Sequence, residues 1–304
     1  MSSQVREGFW KEALSIQNSA TPLVAQQVAI FGIIAATICA FSLKMEALCK
    51  VRLALVITPH EIAGAALGLL LVFRTNASYD RWWEARKLWG GLVDRCRNLS
   101  INAMAYGPND LGWRKDVVNL VAAYPQVVRH TLRHEQPAEN LKSLLGEERL
   151  AKLMTSDHMP SFIALMLGDL LQTARDRFGM DGFAFLQIDR ERVLLIDNFG
   201  GCERILNTPT PKVYSIVVRR LIFVFLITLP FALLHQLGSE WLVPAITMLV
   251  AYPLLSLDQI GVELENPFRA TNLSALPIID MSTLIDRNVH AILDTKNTDK
   301  AVTK

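Results

Sequence analysis

Residues 62–89 read IAGAALGLLLVFRTNASYDRWWEARKLW, an uncharged run of twelve residues followed at once by charged and aromatic side chains. At about 1.5 Å per residue, that run is too short to cross a ~30 Å hydrocarbon layer. The helix therefore spans a membrane only if it continues beyond one or both ends, and it is better suited to facing a pore than to facing lipid all round. Gly64 and Gly68 form a small-x-x-x-small pair that permits close helix approach. Ala65, Leu69 and Phe73 stand four residues apart, on one line of a helix. Several copies meeting at an axis would stack these side chains as apolar rings, and the same spacing equally describes a packed core face. Past them, Arg74, Asn76, Tyr79, Arg81, Trp82, Trp83, Glu84 and Arg86 crowd together, as in the aromatic and charged belt where a helix leaves a membrane.

Three further apolar blocks flank this one. Residues 22–43 carry no charge and are interrupted only by Gln26 and Gln27. Residues 221–234 follow the pair Arg219 and Arg220 and extend backward over 213–218, giving a helix anchored by cations partway along. Residues 241–257 end at Asp258. Thr21-Pro22, Thr58-Pro59 and Thr210-Pro211 each predict a hydroxyl N-cap with proline at the first helical position. Glu61 would complete a capping box with Thr58, and Ser239 before Glu240 would cap the fourth block. No ionisable group lies inside the four blocks apart from His60 and Glu61 at one end, which counts against a secondary transporter.

Between the second and third blocks the chain is charged and helical in period. Val117, Leu120, Val121, Tyr124, Val127 and Val128 recur at steps of three and four, as one buried helix face requires. Helices are also expected over 142–153, 162–178 and 185–206, strand signals are weak, and the polar tail after Leu293 reads as disordered. The sequence divides into an amphipathic N-terminal segment (1–20), membrane helices 1 and 2 (21–73), a cytosolic helical region (74–210), membrane helices 3 and 4 (211–266) and a C-terminal cytosolic segment with its tail (267–304). With the long charged region in the cytoplasm, the third-to-fourth connection lies outside without Lys or Arg, and both termini lie inside. Lys44, Lys50 and Arg52, opposed only by Glu46, count against that orientation.

Composition narrows the chemistry. The 304 residues are 51% hydrophobic and still 20% charged, which excludes disorder and fits a chain with segregated lipid and water segments. A net charge of +2 gives no pull toward nucleic acid. Cys39, Cys49, Cys96 and Cys202 lack metal or dithiol spacing and read as small buried residues. His130 and His134 stand four apart, but Arg129 and Arg133 lie among them and no third ligand follows, so a solvated helix face is expected rather than a metal site. No phosphate loop, dinucleotide fingerprint or nucleophile elbow is present. No enzyme activity, cofactor or metal is expected.

At residues 73–90, FRTNASYDRWWEARKLWG, the sequence resembles the signature after the second helix of bestrophin-family ion channels, particularly the shorter bacterial members. GCERI at 201–205, TPTP at 208–211, LPFAL at 229–233, LSLD at 255–258 and ELENPF at 263–268 extend the resemblance in order over residues 21–277. The resemblance implies an all-α subunit with four transmembrane helices and a helical cytosolic domain, assembled as a homopentamer around one axial pore. It implies a hydrophobic neck at Ala65, Leu69 and Phe73, and a second, cytosolic constriction on the helix preceding GCERI, where counting back gives Leu186. Arg74, Asn76, Tyr79, Arg81, Trp82, Trp83 and Glu84 are the signature near the neck. The implied function is a passive channel for small ions in the bilayer of the plasma membrane, the inner membrane of a bacterium. Chloride or another anion is expected, a cation is the alternative, and a membrane-anchored scaffold or regulator is the reading from another class.

Two departures matter. Calcium-gated animal members carry an acidic run after NPF, whereas residues 269–275 here are RATNLSA, without the carboxylates a calcium clasp needs. Ala65 is also smaller than the family's usual first ring, which predicts a wider upper neck.

Overall fold

The computed structural model describes residues 8–17, 19–50, 55–136, 140–237 and 240–302, and within them every regular element is a helix. In order these are α1 (Phe9–Ala13), α2 (Thr21–Cys49), α3 (Thr58–Tyr106), α4 (Leu111–Arg133), α5 (Asn140–Met154), α6 (Met159–Phe178), α7 (Gly182–Asn207), α8 (Lys212–Gln236), α9 (Leu242–Glu265) and α10 (Ile278–Val302). Four of them, α2, α3, α8 and α9, are long and apolar enough to cross a membrane. The short apolar run of residues 62–73 reaches that length as part of a 49-residue helix.

The helix starts differ from the expected capping. Ala20 is the N-cap of α2 and makes no side-chain cap bond, while Ser19 Oγ accepts from the Thr21 N–H at 3.3 Å. Thr58 lies inside the first turn of α3. Pro211 itself is the N-cap of α8, and the Thr210 hydroxyl donates to the Glu265 carboxylate instead. Ser239, Arg52 and Asn18 lie outside the described residues. Asp110 and Asp181 do cap, accepting from Trp113 N at 2.7 Å and Phe183 N at 2.8 Å at the starts of α4 and α7.

The chain divides into two compact units. The first holds α2, α3 up to Arg81, α8 and α9. Its core has an apolar cluster, with Phe31 of α2, Leu67 and Leu71 of α3, Ile222 and Leu226 of α8, and Val243 and Ala251 of α9 among its buried members. Gly64 lies against the Phe225 ring of α8, whereas a Cβ at Gly68 would meet nothing within 4 Å, so the two glycines serve different neighbours.

The second unit holds α3 from Trp82, α4 to α7 and α10. All six periodic residues of α4 are buried. Gly91 and Gly201 mark the closest approach of α3 and α7. A Cβ at Gly91 would lie 2.5 Å from Asn198 Oδ1, and one at Gly201 would lie 2.7 Å from Leu88. The glycine of the GCERI run is thus required by helix packing. The tail after Leu293 continues a helix rather than forming a disordered end: α10 runs to Val302, and its earlier part buries Ile278, Ser282, Ile285 and Val289. That three- and four-residue period is present in the sequence but masked by the polar residues between. Cys39, Cys96 and Cys202 are buried, and Cys49 is exposed.

Candidate pore-lining site

Turning about 100° per residue, α3 keeps one face buried and the opposite face open over its whole length. Leu67, Leu71, Arg74, Ser78, Ala85, Trp89, Leu92, Cys96, Leu99 and Ala103 form the buried face. Ala65, Leu69, Phe73, Asn76, Asp80, Trp83, Lys87, Asp94 and Ile101 are all exposed within an arc of about 80° on the other side. The three residues expected to form neck rings therefore share one open face, with Leu69 at 55% and Phe73 at 56% exposure. Within this chain they are not part of the core. On α7, Leu186 is 63% exposed, and Phe183 is more open still at 84%.

The signature residues separate by role. Asn76, Tyr79 and Trp83 are exposed, Arg81 and Trp82 are half-buried, and the two tryptophan rings stack at 6.4 Å between centroids. Glu84 accepts from Arg204 Nη2 at 2.8 Å, joining α3 to the GCERI run of α7. Arg74 is 5% exposed. Its guanidinium turns away from the open face into an ion pair with Asp258 of α9. Asp258 also accepts from Arg219 Nε of α8 at 3.0 Å. Two guanidiniums on one carboxylate thus tie together α3, α8 and α9, one residue past Phe73.

The triad lies just outside the four uncharged blocks yet inside the helices that carry them. Asp258 lies seven residues inside the end of α9 and Arg219 seven residues inside the start of α8. The available signal was that an ionisable residue within a helical span almost always has a partner there. In the sequence Asp258 marks only the polar end of an apolar run, because its partners Arg74 and Arg219 are distant along the chain.

Elsewhere the titratable groups are structural. His130 is 2% exposed, not part of a solvated face, and His134 has left the helix in a left-handed C-cap at φ 54°. Burial, then the neighbouring Arg129, pushes the His130 imidazole below its ordinary range. Burial pushes the Cys202 thiol up to about 12, which keeps it protonated at neutral pH. Among the described residues, no three His, Cys, Asp or Glu side chains are grouped to hold a metal ion.

After NPF the chain folds back on itself. Phe268 is fully buried, and its N–H donates to Asn266 Oδ1 at 3.1 Å. Its carbonyl accepts from Arg133 Nε at 2.9 Å. Glu263 accepts the Leu273 N–H at 2.8 Å through its carboxylate and Asn272 Nδ2 at 3.0 Å through its carbonyl.

Comparison with known proteins points one way. A family model described as Bacterial/Fungal Bestrophin protein matches residues 1–291. A voltage-dependent anion channel-forming protein of Ralstonia nicotianae is 34% identical over 238 residues, 78% of this chain and 77% of that one. A protein of the same description from Escherichia coli K12 is 34% identical over 216 residues, 71% and 70% of the two chains. The crystal structure of a bacterial bestrophin homologue from Klebsiella pneumoniae superposes with a TM-score of 0.82 at 27% identity, covering 89% of this chain and 98% of that chain.

Proposed function

The chain belongs to the bacterial and fungal bestrophin family, and from that premise we propose that it forms a homopentameric, passive anion channel with a neck ringed by Ala65, Leu69 and Phe73. The observation that carries this reading is the open apolar face of α3. Its side chains have no partner surface within the subunit's own core, yet they lie on a helix able to cross a membrane. Burying them requires lipid or other copies of the chain. An apolar line of Ala65, Leu69 and Phe73 that continues into Asn76 and Asp80 fits copies facing a common axis better than it fits lipid.

Rings of this kind gate by dewetting, and ions pass when the ring is wide enough to stay wet. Ala65 makes the first ring the widest, Leu69 and Phe73 narrow it, and Leu186 supplies a second constriction on α7. Arg74 contributes no charge to the opening because Asp258 holds it on the opposite face. The neck is thus apolar, and selectivity rests on what lies beyond it. In this reading the protein resides in the inner membrane with both termini cytoplasmic, residues 74–210 and 267–304 lie in the cytoplasm, and residues 1–20 form an amphipathic entry segment.

The anion assignment follows the relatives' description. One observation favours cations instead: past Phe73 the open face presents Asn76 and then the carboxylate of Asp80. Reversal potential in asymmetric chloride salts decides between them. Mass measurement of the detergent-solubilised protein checks the oligomer. A monomer or dimer with full ion flux in liposomes would overturn the axial neck.

A further inference from the structure

At one end of the first unit, α2, α8 and α9 enclose a cavity of about 330 Å³ whose lining divides by chemistry. Phe31, Ile222 and Leu255 give it an apolar body, while Gln27, Arg219 and Gln259 give it a polar end backed by Asp258. Within the triad the guanidiniums outnumber the carboxylate, because Asp258 is shared between Arg74 and Arg219. Arg74 is sealed inside, whereas the Arg219 side chain is 54% exposed, so the surplus is presented at Arg219. Arg220 beside it is also exposed.

The position of this charge sets what the cavity can hold. On α8 the uncharged run of residues 221–234 begins immediately after Arg220, so Arg219 stands where headgroups give way to hydrocarbon. A small soluble anion would satisfy the guanidinium but leave the apolar walls wet. An apolar molecule would cover the walls but strip water from Arg219 without compensation. An amphiphile with an anionic head satisfies both, and a phosphate offers the paired oxygens that a guanidinium binds best.

We propose that this cavity is a binding site for an anionic glycerophospholipid. Its phosphate lies on Arg219, and the start of one acyl chain covers Phe31, Ile222 and Leu255. Through Asp258 the bound headgroup is one carboxylate away from Arg74, the residue after Phe73, so lipid composition acts on the helix that carries the neck residues. The site depends on membrane embedding and not on the neck, so binding is measured apart from ion flux.

The test follows thermal unfolding of the purified, detergent-solubilised oligomer with phosphatidylglycerol, with phosphatidylcholine of the same acyl chains, or with inorganic phosphate. Phosphatidylglycerol raises the wild-type melting midpoint by several degrees, phosphatidylcholine raises it much less, and phosphate alone leaves it unchanged. Arg219→Lys keeps the phosphatidylglycerol response, and Arg219→Gln loses it. Leu255→Trp fills the apolar body without touching the three charges and loses it too, which preserves the test if Arg219→Gln assembles poorly. Equal shifts with both lipids, a full shift with phosphate alone, a response surviving in Leu255→Trp, or no wild-type response would each overturn the site.

Discussion

The two halves of α3 share one helix and one division into buried and open faces, yet their chemistry is inverted. In residues 82–106 the open face mixes the charges of Lys87 and Asp94 with Trp83 and Ile101, and the buried face is Trp89, Leu92, Cys96 and Leu99. That is the arrangement of a helix finished by its own subunit in water. In residues 58–81 the open face up to Phe73 is apolar, while the buried face ends in a charged arginine and a serine. The first half is therefore completed by something outside the subunit, and its interior holds an ion pair where the second half holds tryptophan and leucine. Burial within one chain thus separates a helix that packs for its own stability from one whose apolar surface is kept for lipid and for other copies.

The largest effect should come from breaking the buried charge that marks the first half. Asp258→Ala leaves Arg74 enclosed without its counter-ion, and removing one partner of a buried pair costs about 3–5 kcal/mol. Loss of assembled protein on size exclusion is the expected outcome. Arg219→Ala removes the exposed arm of the same triad, where a pair contributes only about 0–1 kcal/mol, so that variant should assemble. Equal losses from the two substitutions would mean that the triad acts as one buried unit.

Next in size is a matched pair of leucines. Leu92 is fully buried, and Leu92→Ala should cost about 2–5 kcal/mol through lost burial and a cavity. Leu69→Ala on the open face should leave stability nearly unchanged while raising conductance and the relative permeability of larger ions, as should Phe73→Ala. Single-channel recording beside thermal unfolding separates the cases. A Leu69→Ala protein with wild-type permeation and poor assembly would place that face against another helix rather than at a pore.

The legibility of these features follows from how each is encoded. The four membrane helices and the α4 face were readable because an apolar block or a regular period is a local signal. The 49-residue length of α3 was not, since its composition changes at Phe73 while its backbone does not. The α10 helix was hidden by polar residues between its buried positions. The line of Ala65, Leu69 and Phe73 was visible in the spacing, but whether that line is core or open depends on which face meets α8, a tertiary fact. The Arg74–Asp258–Arg219 triad joins residues distant in sequence on three helices, and no window along the chain contains it.

A smaller effect should appear in the second unit as pH falls. Arg129 Nη2 lies 2.8 Å from His130 Nε2, and because a guanidinium only donates, Nε2 must accept and the ring is neutral there. Glu135 stands 3.5 Å from Nδ1 and favours the charged ring, but burial and the arginines Arg129 and Arg133 outweigh it, so the folded-state pKa is depressed. The unfolded chain then takes up the proton first, near pH 6.5. Stability contributed by neutral His130 is complete above that pH and is lost as pH falls from there through the folded-state value. Unfolding midpoints between pH 8 and pH 5 should decline in the wild type. A His130→Gln protein, with no proton to gain, should show a shallower decline, and parallel curves would remove His130 as the source.

The smallest expected effect is none at all, and it concerns the segment after α9. Calcium takes about six to eight oxygen ligands, usually with carboxylates among them. Residues 269–275 supply no carboxylate. The two nearest, Glu263 and Glu265, are already engaged, one by the Leu273 N–H and the other by the Thr210 hydroxyl. A cation recruiting them would have to displace bonds that hold the chain's return after α9, and it would gain too few oxygens to replace its water shell. Current and thermal midpoint should therefore coincide with and without a calcium chelator. Activation by micromolar calcium would show that ligands come from another part of the molecule or from a neighbouring subunit. Glu263→Gln then sharpens the result, since an activation that survives it excludes a carboxylate bonded directly to this segment.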